Sequence, residues 1–105
     1  MKILINTAHG IHGSEESNIR ITEELMDGFD RFKDRITRLE VFLHDENALK
    51  GGIADKSCII EARLGGRRPI AVDERAATIA SAIHGATRKM VQWIERILGR
   101  ESLHH

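Results

Sequence analysis

The sequence predicts an α+β protein: a two-layer βαβββα sandwich, with a four-stranded sheet carrying both helices on one face. Three observations carry that prediction. Segments 38–44 and 57–64 alternate apolar and polar residues with the period of a half-buried strand. Segments 17–32 and 74–98 place apolar residues at helical spacing on one side only. Glycine pairs and short polar runs punctuate the chain between them.

The first strand covers about residues 2–6, with Ile3 and Ile5 on one side. The loop 7–16 contains Gly10 and Gly13 and is flexible by composition. The first helix starts near Ser17 or Asn18, both good N-caps, with Glu15 and Glu16 beside its positive end. Its stripe is Ile21, Leu25, Phe29 and Phe32. The second strand turns Leu39, Val41 and Leu43 inward and Arg38, Glu40, Phe42 and His44 outward. A loop from Asp45 to Asp55 follows, with Gly51-Gly52 inside it.

The third strand turns Cys58, Ile60, Ala62 and Leu64 inward and Ser57, Ile59, Glu61 and Arg63 outward. Gly65-Gly66 is a hairpin signal leading to a short fourth strand that holds Pro69. Proline has no N–H for a central ladder, so this strand belongs at an edge. The second helix runs from about Glu74 to Leu98, with Asp73 as N-cap and Gly99 as its stop. Its buried stripe is Ile79, Ile83, Ala86, Met90, Trp93 and Ile97. Trp93, Met90, Phe29 and Leu25 are expected to meet between helices and sheet. Residues 1–100 form a single domain and 101–105 a tail. His104-His105 reads either as the remnant of a purification tag or as native chain, and is set aside.

At 105 residues the chain is long enough for one two-layer core. Hydrophobic content of 41% and charged content of 30% match an ordinary water-soluble domain. No run approaches the roughly 18 apolar residues of a membrane span, so no membrane partner is expected. Ile3-Leu4-Ile5 is too short for a signal-peptide core. The single cysteine, Cys58, cannot form an internal disulfide, and a reducing, cytoplasmic setting fits it.

The chain holds no nucleophile elbow, no Walker loop and no GxGxxG after a strand. Glu15-Glu16 and Glu23-Glu24 read as helix charges and not as an acid–base pair. The reading is therefore non-enzymatic, with no cofactor and no small-molecule substrate. His9 and His12, three apart in a Gly-rich loop with no neighbouring Cys or paired carboxylate, are a weak metal signal, and no metal is assigned.

Charge carries more. The formal net charge is zero, yet residues 1–62 hold 8 Lys/Arg against 12 Asp/Glu and residues 63–105 hold 8 against 4. Such asymmetry gives a molecule with a basic side, the footprint of a nucleic-acid binder. The segment from Phe29 to Arg38 concentrates Arg31, Lys33, Arg35 and Arg38 at a helix end and strand start. On a helical wheel, Lys89, Arg96 and Arg100 share one flank of the second helix, with Arg88 and Gln92 beside them. Cations so arranged suit a phosphate backbone, whose counterions they displace. The alternative is a solvated surface with favourable helix-end charges. Three Phe, one Trp and no Tyr, with Phe42 alone on the outer sheet face, argue against a base-stacking sheet.

Element order and local words carry a family resemblance. Strand 2–6, the His9 loop, Asp34-Arg35-Ile36-Thr37, the Gly65-Gly66 hairpin and Asp73-Glu74 before a last helix follow one another in this order. The chain thereby resembles the short ribosome hibernation-promoting and ribosome-associated inhibitor family, also called sigma-factor modulation proteins. The resemblance spans nearly the whole sequence. It implies a fold like that of double-stranded RNA-binding domains, docked on the small ribosomal subunit near the mRNA and tRNA sites. It also implies that the bound protein blocks translation there in starved or stationary cells.

Family members carry basic residues along the final helix, and Arg88 falls on one such position; His9 matches the family's loop histidine. Three positions depart from the pattern. Gly85 stands where relatives commonly have Lys, Val91-Gln92 where a basic pair is frequent, and Ala8 where Arg precedes the histidine. Long members add a second domain that pairs two ribosomes. This chain ends at His105 without it, so pairing would fall to another factor.

Two functions follow as expectations. One is a translation inhibitor or hibernation factor that binds small-subunit rRNA through Arg88, Lys89, Gln92, Arg96, Arg100, Arg31, Lys33, Arg35 and His9. The other is an interaction module of the same fold that no longer binds ribosomes and forms a homodimer through the open sheet face at Phe42 and Ile59.

Overall fold

The computed structural model describes residues 1–8, 15–45 and 56–103. In chain order they form β1 (Lys2–Thr7), α1 (Glu15–Gly28), a 3₁₀ turn (Asp30–Phe32), β2 (Ile36–Asp45), β3 (Lys56–Leu64), β4 (Ile70–Ala76) and α2 (Ile79–Leu103). This is the βαβββα order that the periodicities predict. The 4-stranded sheet keeps the strands in order β1-β2-β3-β4, so β1 and β4 are its edges. β1 lies parallel to β2, which demands a crossover, and α1 supplies it. The β2–β3 and β3–β4 pairs are antiparallel.

Alternation places the core as expected. Leu39, Val41 and Leu43 of β2 and Cys58, Ile60, Ala62 and Leu64 of β3 are all buried beneath the helices. Thr37 is the extra residue of a bulge: Ile36 pairs with Leu64, yet Arg38 pairs with Arg63. The bulge lets both Ile36 and Leu39 face the core, and the Thr37 hydroxyl donates to the Arg63 carbonyl at 3.0 Å. The β3–β4 hairpin closes with Arg67 N–H donating to the Leu64 carbonyl at 3.1 Å. Gly66 sits there at φ 74°, a left-handed conformation open to glycine at little cost.

Several expectations move. α1 begins at Glu15, ahead of Ser17 and Asn18, and ends at Gly28. Phe29 and Phe32 remain buried, but they lie in the turn after the helix. β4 is longer than expected and starts after Pro69. Asp73 and Glu74 are mid-strand residues of β4, paired with Ile59 and Cys58, and do not cap a helix. The N-terminus of α2 is capped by Thr78, whose hydroxyl oxygen accepts from the Ser81 N–H at 3.1 Å. α2 continues through Gly99 to Leu103, since an exposed glycine with open space around it weakens a helix without ending it.

The largest correction concerns Trp93. It is 48% exposed, whereas Ile94 is fully buried beside Met90, Ala86, Ile83 and Ala82. The seam of α2 is rotated by part of a turn from the expected one. The Asp45–Asp55 loop beyond Asp45 and the His9 loop lie outside the described residues.

A candidate nucleic-acid interface

The topology collects cations at one end of the sheet. Lys2, Arg38 and Arg63 are successive lateral neighbours across β1, β2 and β3, beside the β3–β4 hairpin. The hairpin adds Arg67 and Arg68. The corner between α1 and β2 is tied to it, because Gly65 N–H donates to the Arg35 carbonyl at 3.4 Å. α2 runs antiparallel to β4 and brings its C-terminal half to the same end. Its Gly85 lies against Glu74, its Lys89 reaches Asp73, and Arg96 shares a groove with Ala71. One pole of the molecule is therefore rich in arginine, while Glu15 and Glu16 open α1 and Asp45 pairs with Lys56 at 3.3 Å towards the other.

The candidate cations differ in what they touch, and Arg88 stands apart from the pole, in a groove it shares with Ala76, Ala80, Ser81 and Glu24. On α2, Arg88, Lys89, Gln92, Arg96 and Arg100 are all exposed. Lys89 is committed: its Nζ donates to the Asp73 carbonyl at 2.7 Å and pairs with Glu74 Oε1 at 3.1 Å. A lysine resting on the outer carbonyl of an edge strand also obstructs pairing with another strand. Gly85 makes this possible, because a Cβ there would lie 2.6 Å from Glu74 Cγ. Arg88, Arg96 and Arg100 make no ion pair among the described residues.

The corner is more neutralised. Arg31 pairs with Glu95 of α2 and lies 4.8 Å over the Phe32 ring. Lys33 stands 3.8 Å from Asp30 Oδ1. Arg35 hydrogen-bonds through its backbone, N–H to the Phe32 carbonyl at 2.9 Å. On the outer sheet face, Arg38 and Arg63 each lie 3.8 Å from a same-strand glutamate, Glu40 and Glu61. His9 lies outside the described residues.

Lys89, Gln92, Trp93 and Arg96 form one wall of a shallow groove of about 310 Å³, and Ala71, Val72 and Asp73 of β4 form the other. The proximity of Arg67-Arg68 and of Lys2 to this end was not read from the sequence. The basic pair beside Gly65-Gly66 was the available signal, since residues in a hairpin turn are bound to be at the surface. Phe42 and Ile59 are direct cross-strand partners on the outer face, 38% and 41% exposed.

Cys58 is buried and forms no disulfide. Burial, with the Glu24 charge second, pushes its thiol up to about 12, so it stays protonated and poorly nucleophilic. Among the described residues no three metal-binding side chains come together, and no helix is long and apolar enough to cross a membrane.

These features define a class: a small α+β sandwich with both helices on one sheet face and a basic pole at the hairpin end. Its fold recurs among solved structures. A ribosomal subunit interface protein from Coxiella burnetii superimposes with a TM-score of 0.75 at 14% identity, over 94% of this chain and 99% of that one. The N-terminal domain of Thermus thermophilus Protein Y gives 0.71 at 21% identity, over 92% and 99%. No family model matches the sequence, and no curated protein does. The resemblance read from element order thus holds in three dimensions. At these identities it establishes the fold, and the site rests on this chain's own residues.

Proposed function

We propose that this chain is a non-enzymatic, cytoplasmic ribosome-binding factor of the hibernation type. In this reading its basic pole contacts small-subunit rRNA, and the bound protein occupies the decoding region, inhibiting translation in starved or stressed cells. The observation that carries the proposal is the conjunction of fold and charge. A fold shared with a ribosomal subunit interface protein presents, at one end, Arg68, Arg96 and Arg100, which no acidic side chain among the described residues neutralises. Arg96 and Arg100 on α2 and Arg68 in the hairpin are the primary phosphate contacts. Lys89, Arg31 and Lys33 are secondary, because each must first leave a partner.

Sedimentation with purified small ribosomal subunits at low and moderate salt tests this. Binding at low salt that weakens steeply with added salt is the expected result. No co-sedimentation at low salt would refute it.

A second reading has its own observation. Phe42 and Ile59 face each other across β2 and β3 with Leu4 nearby, an apolar island on the uncovered sheet face. A homodimer through this island, with no ribosome binding, is the outcome that would replace the first reading.

A further inference from the structure

We propose that the groove between α2 and β4 receives one unpaired base of an RNA strand, stacked on the Trp93 indole, with the flanking phosphates held by Arg96 and Arg100. The proposal deepens the RNA-binding reading above and rests on it.

Trp93 is the only tryptophan in a chain that is 4% aromatic, and half of it faces solvent. The seam is built from other residues: Ile94 and Met90 are fully buried in it, whereas the indole is not. A large π-surface held on a rigid helix, outside the core, is a preformed platform for a flat apolar partner.

The surroundings specify the partner. Ala71 and Val72 of β4 line the other wall of this shallow groove. Gln92, with an amide that both donates and accepts, and Asp73, whose carboxylate accepts, stand at its rim. Those groups match the edge of a nucleobase bearing an exocyclic amino group, such as adenine. Arg96 lies in the same groove and Arg100 one turn further along α2, neither holding an ion pair among the described residues. A groove that joins an exposed indole to unneutralised guanidinium groups is complementary to a base and its phosphates. A duplex cannot use it, because its bases are already stacked. A protein strand is disfavoured, since Lys89 already occupies the outer Asp73 carbonyl of β4.

The single tryptophan makes the test direct. The full chain is titrated with an oligoadenylate about ten nucleotides long, a span within the usual footprint of single-strand binders, and, separately, with a GC-rich RNA hairpin whose blunt stem is closed by a non-nucleotide linker and so offers no unpaired base. The oligoadenylate should quench Trp93 fluorescence on binding, and the hairpin should bind without quenching. By anisotropy of end-labelled RNA, Trp93→Ala should weaken oligoadenylate binding about 5- to 150-fold, the range of one base–aromatic stack. It should leave hairpin binding unchanged, and Trp93→Phe should restore part of the loss. Equal affinity of Trp93→Ala for the oligoadenylate, or equal quenching by the hairpin, overturns the stacking proposal. If the double reversal Arg96→Glu/Arg100→Glu then still abolishes binding, the phosphate reading survives alone; if it changes nothing, both fall. A blue shift of Trp93 that grows with protein concentration, without RNA, would assign the groove to a second copy and overturn the proposal too.

Discussion

α2 has one side turned towards α1 and another turned towards the free edge of β4, and the two sides use their charges differently. On the α1 side, Glu95 takes up Arg31, and the helices approach closely: a Cβ on Gly28 would stand 2.9 Å from Thr87 Cγ2. On the β4 side, Lys89 is held by Glu74 and Asp73, but Arg96, Gln92 and Trp93 line an open groove. The corner at Arg31 and Lys33 and the flank at Arg96 and Arg100 look equally basic in the sequence. They are not equally available. An arginine that must break an ion pair before meeting a phosphate gains less than one that is already free, because the lost pair offsets part of the new contact.

The sharpest way to break this comparison is to ask which residue belongs to the core. Ile94→Ala removes a fully buried side chain and should cost about 2–5 kcal/mol. Trp93→Ala, although it removes more atoms, should cost only about 1–2 kcal/mol, because roughly half of the indole already meets water. Urea unfolding of both variants measures this. If Trp93→Ala proves the more costly, α2 is rotated towards the arrangement expected from sequence, and the β4-side groove loses its platform.

Next in size is the charge contrast. Arg96→Glu/Arg100→Glu should remove two phosphate contacts and flatten the log–log salt dependence of small-subunit binding by about 1.4–1.8. At 0.1 M salt that corresponds to an affinity loss of about 25- to 60-fold. Arg31→Glu/Lys33→Glu should have a clearly smaller effect on both, since Glu95 and Asp30 already offset those charges. The fold survives in each case, because all four side chains lie outside the core. Equal losses from the two pairs would show that ion pairing in the free protein does not decide which cations bind.

What the sequence showed of all this follows the range of the interactions. The alternation of β2 and β3, the Gly65-Gly66 turn and the edge marked by Pro69 are local, and all were legible. The bulge at Thr37 was not, because it is fixed by pairing with β3 across 26 residues of chain. Asp73-Glu74 before an apolar run imitated a helix start. Yet Ile70, Val72 and Glu74 alternate as a strand, and Thr78 with Ser81 offered the true cap. Trp93 was assigned inward because it continues the stripe of Ile79, Ile83, Ala86 and Met90 at helical spacing. A wheel that includes Ile94 fits the seam as well, and nothing local decides between them. The site divides in the same way. The cations themselves were visible, but their partners were not: Glu95 lies 64 residues from Arg31, and Asp73 lies 16 from Lys89.

The smallest expected effect tests how Lys89 is held. Gly85 is a mid-helix glycine, and replacing it by alanine in an open site would stabilise α2 by about 1 kcal/mol. Here the new methyl would meet Glu74 Cγ at 2.6 Å and Cδ at 2.8 Å, so the glutamate must swing away and release Lys89 Nζ. The pair it would give up is part-exposed, with side chains 49% and 32% accessible, and is worth no more than about 1 kcal/mol. Gain and loss nearly cancel, and Gly85→Ala alone should change stability by less than about 0.5 kcal/mol. In a Glu74→Ala background the space is empty and the full gain of about 1 kcal/mol should appear. A double-mutant cycle by urea unfolding measures the difference, a coupling of about 0.5–1 kcal/mol. If Gly85→Ala stabilises both backgrounds equally, Glu74 does not lie over Gly85 in solution. Lys89 is then tied to β4 only through the Asp73 carbonyl, and it joins Arg96 and Arg100 among the cations free to meet a phosphate.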